Sequence, residues 1–478
     1  AELTKYVTAE LNGGQMPGAA NLPENFLDST QQALARQYDA EFGGFGYSPA
    51  SPDRPKFPEP ANLAFLVYRI RAEQAAGNDP QEALKMLRGT LDRMAMGGIR
   101  DHLGGGFHRY SVDRFWRIPH FEKMLYDNGQ LASVYAEAYQ LTKDENYQQI
   151  LREMLDFVIR EMTDEQGGFY SALDAESEHV EGKFYRWEKK EVEKLLSDDE
   201  FQLFAAVYGL DRSPNFEGEY YAPQLNRSLQ EIATSQKMKR GDLEAKLLPI
   251  RQKLLAHRSK RPRPLTDTKI LTGWNGLMIR GFADAGRILN EPRYVQAAER
   301  AADFVLQKLA TEEGRLLRTY GNKEAKLNAY VVDYAFLIDG LIGIHEATKS
   351  QRWLTEANRL MQWELKLFWD KQNGGFFFTS EDHESLLARS KNPLDGARPS
   401  GNSVSAQNLL YLGKTLQKEE YLKYAEKTVQ SVSGMLAAAP SAATRLAIVV
   451  GQLRELGKLP VSSPPPPKEG QPPEKEKP

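Results

Sequence analysis

The chain contains no cysteine. That excludes disulfides, thiolate metal sites, a cysteine nucleophile and CxxC redox chemistry within these residues, and it leaves the redox compartment open. An excess of one charge is also missing: 62 Lys and Arg stand against 65 Asp and Glu, a formal net charge of −3. No basic block is long enough to track a nucleic-acid groove, so nucleic acid is not an expected partner. No apolar run approaches the roughly eighteen residues of a membrane span, so a membrane is not expected either. The opening residues, AELTKYVTAELNGG, lack the basic-then-apolar order of a signal peptide. A cytoplasmic location is the expectation, although a chain that starts without Met can be a fragment. The dinucleotide fingerprint GxGxxG and the phosphate loop GxxxxGK[ST] are absent, and no cofactor or metal is expected.

What is present is a globular composition, 41% hydrophobic and 27% charged over 478 residues. Helical periodicity dominates it. Twelve candidate helices cover 25–39, 59–76, 80–96, 119–142, 144–162, 272–289, 292–310, 328–348, 351–368, 402–416, 419–436 and 441–456. An inserted stretch, about 188–256, adds more, including 240–256. Short and long connections alternate. Short turns make antiparallel neighbours, so the long loops gather at one end. With 441–456 pairing with 25–39, six hairpins close into an all-α (α/α)6 toroid with short β-hairpins in its long loops. The expected domains are an irregular segment 1–24, the toroid 25–456 and a disordered Pro-rich tail 457–478.

A repeat supports the ring. Gly-Gly-Phe recurs at 43–45, 105–107, 167–169 and 374–376, with an echo at Glu313-Gly314-Arg315-Leu316. Asp39, Asp164 and Asp370 lead into three of them. Paired glycines allow a tight backbone, and the Phe is expected to plug the space between helix ends.

Helices that follow long loops are the inner ones, and their first turns surround one pocket with unpaired N–H groups. The densest segment is DHLGGGFHRYSVDRFWRIPHFEKMLYDN, 101–128. It offers His108 and His120 as candidate bases, Asp113 and Glu122 as candidate acid–base groups, and Arg109, Tyr110, Trp116, Lys123 and Asp127 as binding groups. Pro119 fits a first helical position, which would place His120, Lys123 and Asp127 on one face. Asp174 and Glu176 form a second acidic cluster, with Tyr185 and Trp187 nearby. Asp267, Lys269, Trp274 and Asn275 precede or open one inner helix, Asp333 and Tyr334 another, and Asn402 a third. Carboxylate pairs can split their pKa values into acid and base, and a Trp face stacks on a sugar ring. The same groups can equally be a solvated loop, satisfied histidines and packing aromatics.

The segment 97–132 closely resembles the signature of the YyaL-type, spermatogenesis-associated-protein-20-like family. So do KFPEP (56–60), GGFYSALDAESE with EGKFYRW (167–187), NFEG (215–218), DTKILTGWNGLMI (267–279), DYA (333–335) and DGARPSGNS (395–403). The resemblance implies a thioredoxin-like domain followed by a six-hairpin domain similar to N-acylglucosamine 2-epimerases and toroidal glycosidases. These residues lack the cysteine motif of the former, so a redox role is not expected of them. Two functions stay open. One is acid–base chemistry on a sugar-like ligand: epimerisation with His108 or His120 as base, or hydrolysis with Asp174 or Glu176 paired with Asp113 or Asp333. The other is a glycan- or protein-binding scaffold working with a thioredoxin-like partner.

Overall fold

A helix apolar on one stripe needs a single neighbour, whereas one apolar all round needs neighbours on every side. The chain alternates the two kinds. The computed structural model describes residues 21–52, 54–383 and 388–459. The expected 1–24 segment lies mostly, and the Pro-rich tail almost wholly, outside them. Inner helices are α2 (Pro60–Ala75), α4 (Leu125–Thr142), α10 (Thr272–Leu289), α12 (Val331–Thr348), α14 (Gly401–Thr415) and α17 (Thr444–Glu455). Each packs against the next, and α17 returns to α2, closing the ring. Outer helices α3 (Gln81–Met96), α5 (Glu145–Glu161), α11 (Pro292–Lys308), α13 (Gln351–Phe368) and α15 (Glu419–Ser431) pair with the inner helix before them, and α1 (Phe26–Gln37) pairs with α17. This is the (α/α)6 toroid. In α12 fourteen of eighteen residues are buried, while α11 buries a stripe from Tyr294 through Ala298 and Ala301 to Val305.

Three inner helices approach closely because glycine faces backbone. A Cβ on Gly276 of α10 would lie 2.3 Å from the Phe336 carbonyl carbon of α12. One on Gly129 of α4 would lie 2.8 Å from Leu277. The turns to the outer helices are tight. Lys143, Asn290 and Lys349 end α4, α10 and α12 in the left-handed region.

Residues 189–258 stand outside the ring as α6 (Lys189–Leu195), α7 (Asp198–Tyr208), α8 (Leu229–Ser235) and α9 (Arg240–Arg258), with a small apolar core of their own. A further short helix, α16 (Ser433–Ala438), and a 3-10 turn (Pro440–Ala443) precede α17. Among the described residues no helix is long and apolar enough to cross a membrane.

The long loops lie at the N-terminal ends of the inner helices, stitched by short antiparallel strands. β1 (Tyr110–Ser111) pairs with β2 (Pro119–His120); β4 (Ala172–Leu173) lies between β3 (Lys123–Met124) and β7 (Thr266–Asp267). β5 (Glu176–Ser177) pairs with β6 (Val180–Glu181), and β9 (Leu317–Gly321) lies between β8 (Ile270–Leu271) and β10 (Glu324–Asn328). The expected helix start at 119 is corrected: 119–120 and 123–124 are strands, and α4 begins at Leu125. Backbone pairing with 110–111 and 172–173 outcompetes the helix there.

The Gly-Gly-Phe repeat is a structural unit with more parts than its name. Asp39, Asp101 and Asp370 each accept backbone N–H groups two and three positions on. Each also pairs with a lysine: Lys56 at 2.7 Å, Lys123 at 2.8 Å and Lys391 at 2.5 Å. Those lysines donate in turn to the carbonyls of Gly43, Gly105 and Gly374. The loop Phe is then clamped by the next inner helix. Asn128 takes both the N–H and the C=O of Phe107, Asn275 those of Phe169, and Asn402 those of Phe376. In the echo repeat the Tyr334 hydroxyl accepts the Leu316 N–H at 2.9 Å.

Candidate functional site

The clamps fix the register of the inner helices around the ring. Residues just before the clamping side chains are equivalent, and they are Asp127, Trp274, Asp333 and Gly401. On α4 the face of Asp127 continues through Gln130, Val134 and Glu137, at i, i+3, i+7 and i+10. Gln130, Val134 and Glu137 line a cavity of about 510 Å³ along the ring axis. Residues 392–400 strap across its N-terminal end. Gln130 donates to the Ala397 carbonyl at 2.9 Å, and Asp395 accepts from the backbone N–H groups of Ser400 and Arg445, each at 2.8 Å. Burial pushes the Asp395 carboxyl up to about 6.

Asp127 sits under this strap, 2% exposed. Its carboxyl accepts no hydrogen bond among the described residues, and Oδ2 is shut off from solvent. Burial raises its pKa well above the carboxylate range, and the opposing pull of Arg109 and Arg398 is not enough to reverse it. Burial thus favours the protonated form of Asp127. Beside it the Tyr126 and Trp274 rings meet edge to face with centroids 4.8 Å apart, and the Arg398 guanidinium lies 5.8 Å and 6.0 Å from them. Burial pushes the Tyr126 hydroxyl up to about 12.

A second group of polar side chains stands next to this acid. Arg109 pairs with Glu122 at 2.9 Å. His120 lies with Nε2 3.3 Å from Glu122 and Nδ1 2.7 Å from Glu181. Its ring stacks on Tyr110, which stacks on Phe57. His120 is a quarter exposed, so it is both oriented and reachable.

Several expected site residues take other places. His108 is buried, its Nδ1 bound to the Phe121 carbonyl, and burial with Lys123 nearby lowers it to about 3. It is a neutral, packed histidine. Lys123 lies on strand β3, not on a helix face with His120 and Asp127, and it is buried against Asp101, which Arg258 also grips through two bonds. Asp113 folds its own loop by accepting the N–H groups of Phe115, Arg117 and Ile118. Asp333 accepts those of Gly273 and Tyr330 and pairs with Arg318 at 3.2 Å. Asn275, Asn402 and Tyr334 are spent on the loop clamps. Trp116, Tyr185 and Trp187 are core residues, with Trp116 donating to the Phe42 carbonyl. Asp174 and Glu176 are exposed, and Asp267 pairs with exposed Lys269 at 3.1 Å. The structure thus groups Arg109, Tyr110, His120, Glu122, Asp127 and Trp274 and disperses the rest.

Glu181, Tyr126, Arg398 and the axial residues were not singled out from sequence. The signal was available on α4, where Gln130 and Glu137 continue the face of Asp127.

Comparison with known proteins now decides the family. No family model matches the chain. Human spermatogenesis-associated protein 20 is 38% identical over 415 residues, covering 80% of this chain and 52% of that protein. An uncharacterized Caenorhabditis elegans protein is 31% identical over 484 residues, covering 94% and 64%. The chain belongs to the spermatogenesis-associated-protein-20-like family. It spans about half the length of the curated mammalian relatives it matches.

Solved structures share the fold of this family member at low identity. A D-mannose isomerase superposes with a TM-score of 0.54 at 11% identity, covering 86% of each chain. The cellobiose 2-epimerase of Bacillus thermoamylovorans gives 0.55 at 10%, covering 86% and 85%, and an α-mannanase of Bacteroides thetaiotaomicron gives 0.53 at 10%, covering 91% and 96%. Sugar epimerases and glycoside hydrolases therefore share the architecture, and architecture alone does not fix an activity.

Proposed function

We propose that the chain is a carbohydrate-active enzyme in which Asp127 gives a proton to a sugar-like ligand at the head of the axial cavity. The observation that carries this reading is the isolation of that carboxyl: enclosed, without a hydrogen-bond partner among the described residues and driven by burial towards its protonated form, next to Tyr126, whose ring meets Trp274, and near Glu122, which His120 approaches. Paired titratable groups whose environments drive their pKa values apart are the usual makings of an acid and a base. Glu122 and His120 supply the base. In epimerisation or isomerisation, His120, steadied by Glu181, would remove the proton next to the sugar carbonyl while Asp127 protonates the oxygen. In hydrolysis, Asp127 would protonate the leaving oxygen and Glu122 would activate water. This pair replaces Asp174 or Glu176 with Asp113 or Asp333. Neither route needs a cofactor. The sugar-processing activities in the names of the fold neighbours support the ligand class.

A second reading draws on the neutralised pairs Arg109–Glu122 and Arg318–Asp333. In it the pocket is a non-catalytic glycan- or protein-binding scaffold that serves a thioredoxin-like partner. Incubation with aldoses, ketoses and disaccharides in D2O, followed by proton NMR, separates the readings. Solvent deuterium entering next to a carbonyl marks an epimerase or isomerase, and a new reducing end marks a hydrolase. Binding without conversion favours the scaffold, and neither binding nor conversion contradicts a sugar ligand.

A further inference from the structure

We infer that the axial cavity takes a ligand bearing one anionic group, a sugar acid or sugar phosphate, held by the guanidinium of Arg445. This rests on the reading of the pocket as a sugar site and specifies the ligand's charge.

The argument is one of pairing. The axial cavity is lined by groups of both signs, and the others already have partners. Glu137 pairs with Arg71 and Arg287. Arg280 holds Asp284 at 2.9 Å and Asp339 at 3.2 Å. Glu455 accepts the Tyr68 hydroxyl at 2.8 Å. Arg445 is the exception among the described residues. Its backbone N–H is tied to Asp395, a carboxyl that its charge also acts on, but among the described residues its guanidinium makes no direct ion pair and no hydrogen bond, and Nε is out of reach of solvent. The Asp395 oxygens are engaged by backbone N–H groups and by Ser403. In the lining of the same cavity Gln407 leaves Oε1 enclosed and without a donor among the described residues.

Enclosed polar groups are nearly always paired, because an unpaired one forfeits its hydration without return. A partner for the Arg445 guanidinium would be an acceptor, and a planar fork of donors suits a carboxylate or a phosphate. The missing partner of Gln407 is a donor, which a sugar hydroxyl supplies. A guanidinium with no direct ion-pair partner can take one anionic group. At about 510 Å³ the cavity lies within the ~300–1,000 Å³ typical of small-molecule sites. Gln130, which lines the cavity, lies one turn along α4 from Asp127.

Isothermal titration of the full chain with glucose, galactose and mannose, the matching hexuronates and the hexose 6-phosphates tests this. At least one anion should bind tighter than its parent hexose. Arg445→Gln should weaken that anion ~10-fold or more and leave the neutral hexose unchanged. Arg445→Lys, which keeps the charge and loses the fork, should fall between, and it serves if the Gln variant does not fold in a melting check. Preference for hexuronate or for phosphate identifies the anion. Equal binding of anions and hexoses, or an anion preference that survives in Arg445→Gln, overturns the inference and leaves the sugar reading standing. No binding by any sugar overturns both.

Discussion

Several buried acids of this protein have elevated pKa values, and the surroundings of two of them give different meanings. Glu364 on α13 is fully buried with the Ser405 hydroxyl as its hydrogen-bond partner, and burial pushes it up to about 8. It packs outer helix to inner helix, away from the axial cavity. Its folded-state pKa lies above the unfolded value, so the native state holds the extra proton and stability falls as pH rises from about 4.5 to about 8. Glu364→Gln should flatten that decline, worth on the order of 5 kcal/mol across the window, in melting curves taken against pH. Asp127 obeys the same sign, with stability lost as pH rises above the ordinary carboxylate range. Asp127→Asn should therefore leave the melting temperature at neutral pH unchanged or raised. A drop of several degrees would show that the carboxyl has a structural partner. Asp127 was visible in the sequence as a polar first-turn residue. Its isolation was not, because it depends on how the loop before α4, with Arg109, and the distant loop that carries Arg398 fold over it.

At the scale of elements, what the sequence hid was backbone pairing between loops. Pro119 carries the signature of a helix start, yet strands at 110–111 and 119–120 claim that backbone, and Lys123 turns into a buried pair with Asp101. The Gly-Gly-Phe loops were legible as structural. Their clamps were not, so Asn275 and Asn402 looked like ligand contacts. Each has its amide engaged by a loop Phe, and Asn275→Ala would leave the N–H and C=O of Phe169 without their side-chain partner. We expect a loss of about 2–3 kcal/mol in denaturant unfolding, with ligand affinity of the folded fraction unchanged. Weakened affinity at full stability would return Asn275 to the binding site. Gly276→Ala belongs to the same scale: with Phe336 backbone 2.3 Å from the new Cβ, α10 and α12 must separate. A destabilisation of about 1–3 kcal/mol or more is expected in the same unfolding assay.

At the scale of the whole molecule the ring was legible because topology leaves few choices. Short and long connections alternate, so hairpins must share one loop-rich end, and the first and last helices must meet. The axial cavity was less legible, since its polar lining is spread over all six inner helices and no single stretch of sequence displays it. The family's activity is not fixed by this architecture, because isomerase, epimerase and mannanase all use it. The account therefore stands on one residue within the ring. The most direct test is the turnover of the best sugar substrate by the native chain and by Asp127→Asn, with melting curves of both. The account predicts a loss of about 100-fold or more in kcat with the fold intact. Turnover by Asp127→Asn at the native rate would contradict it.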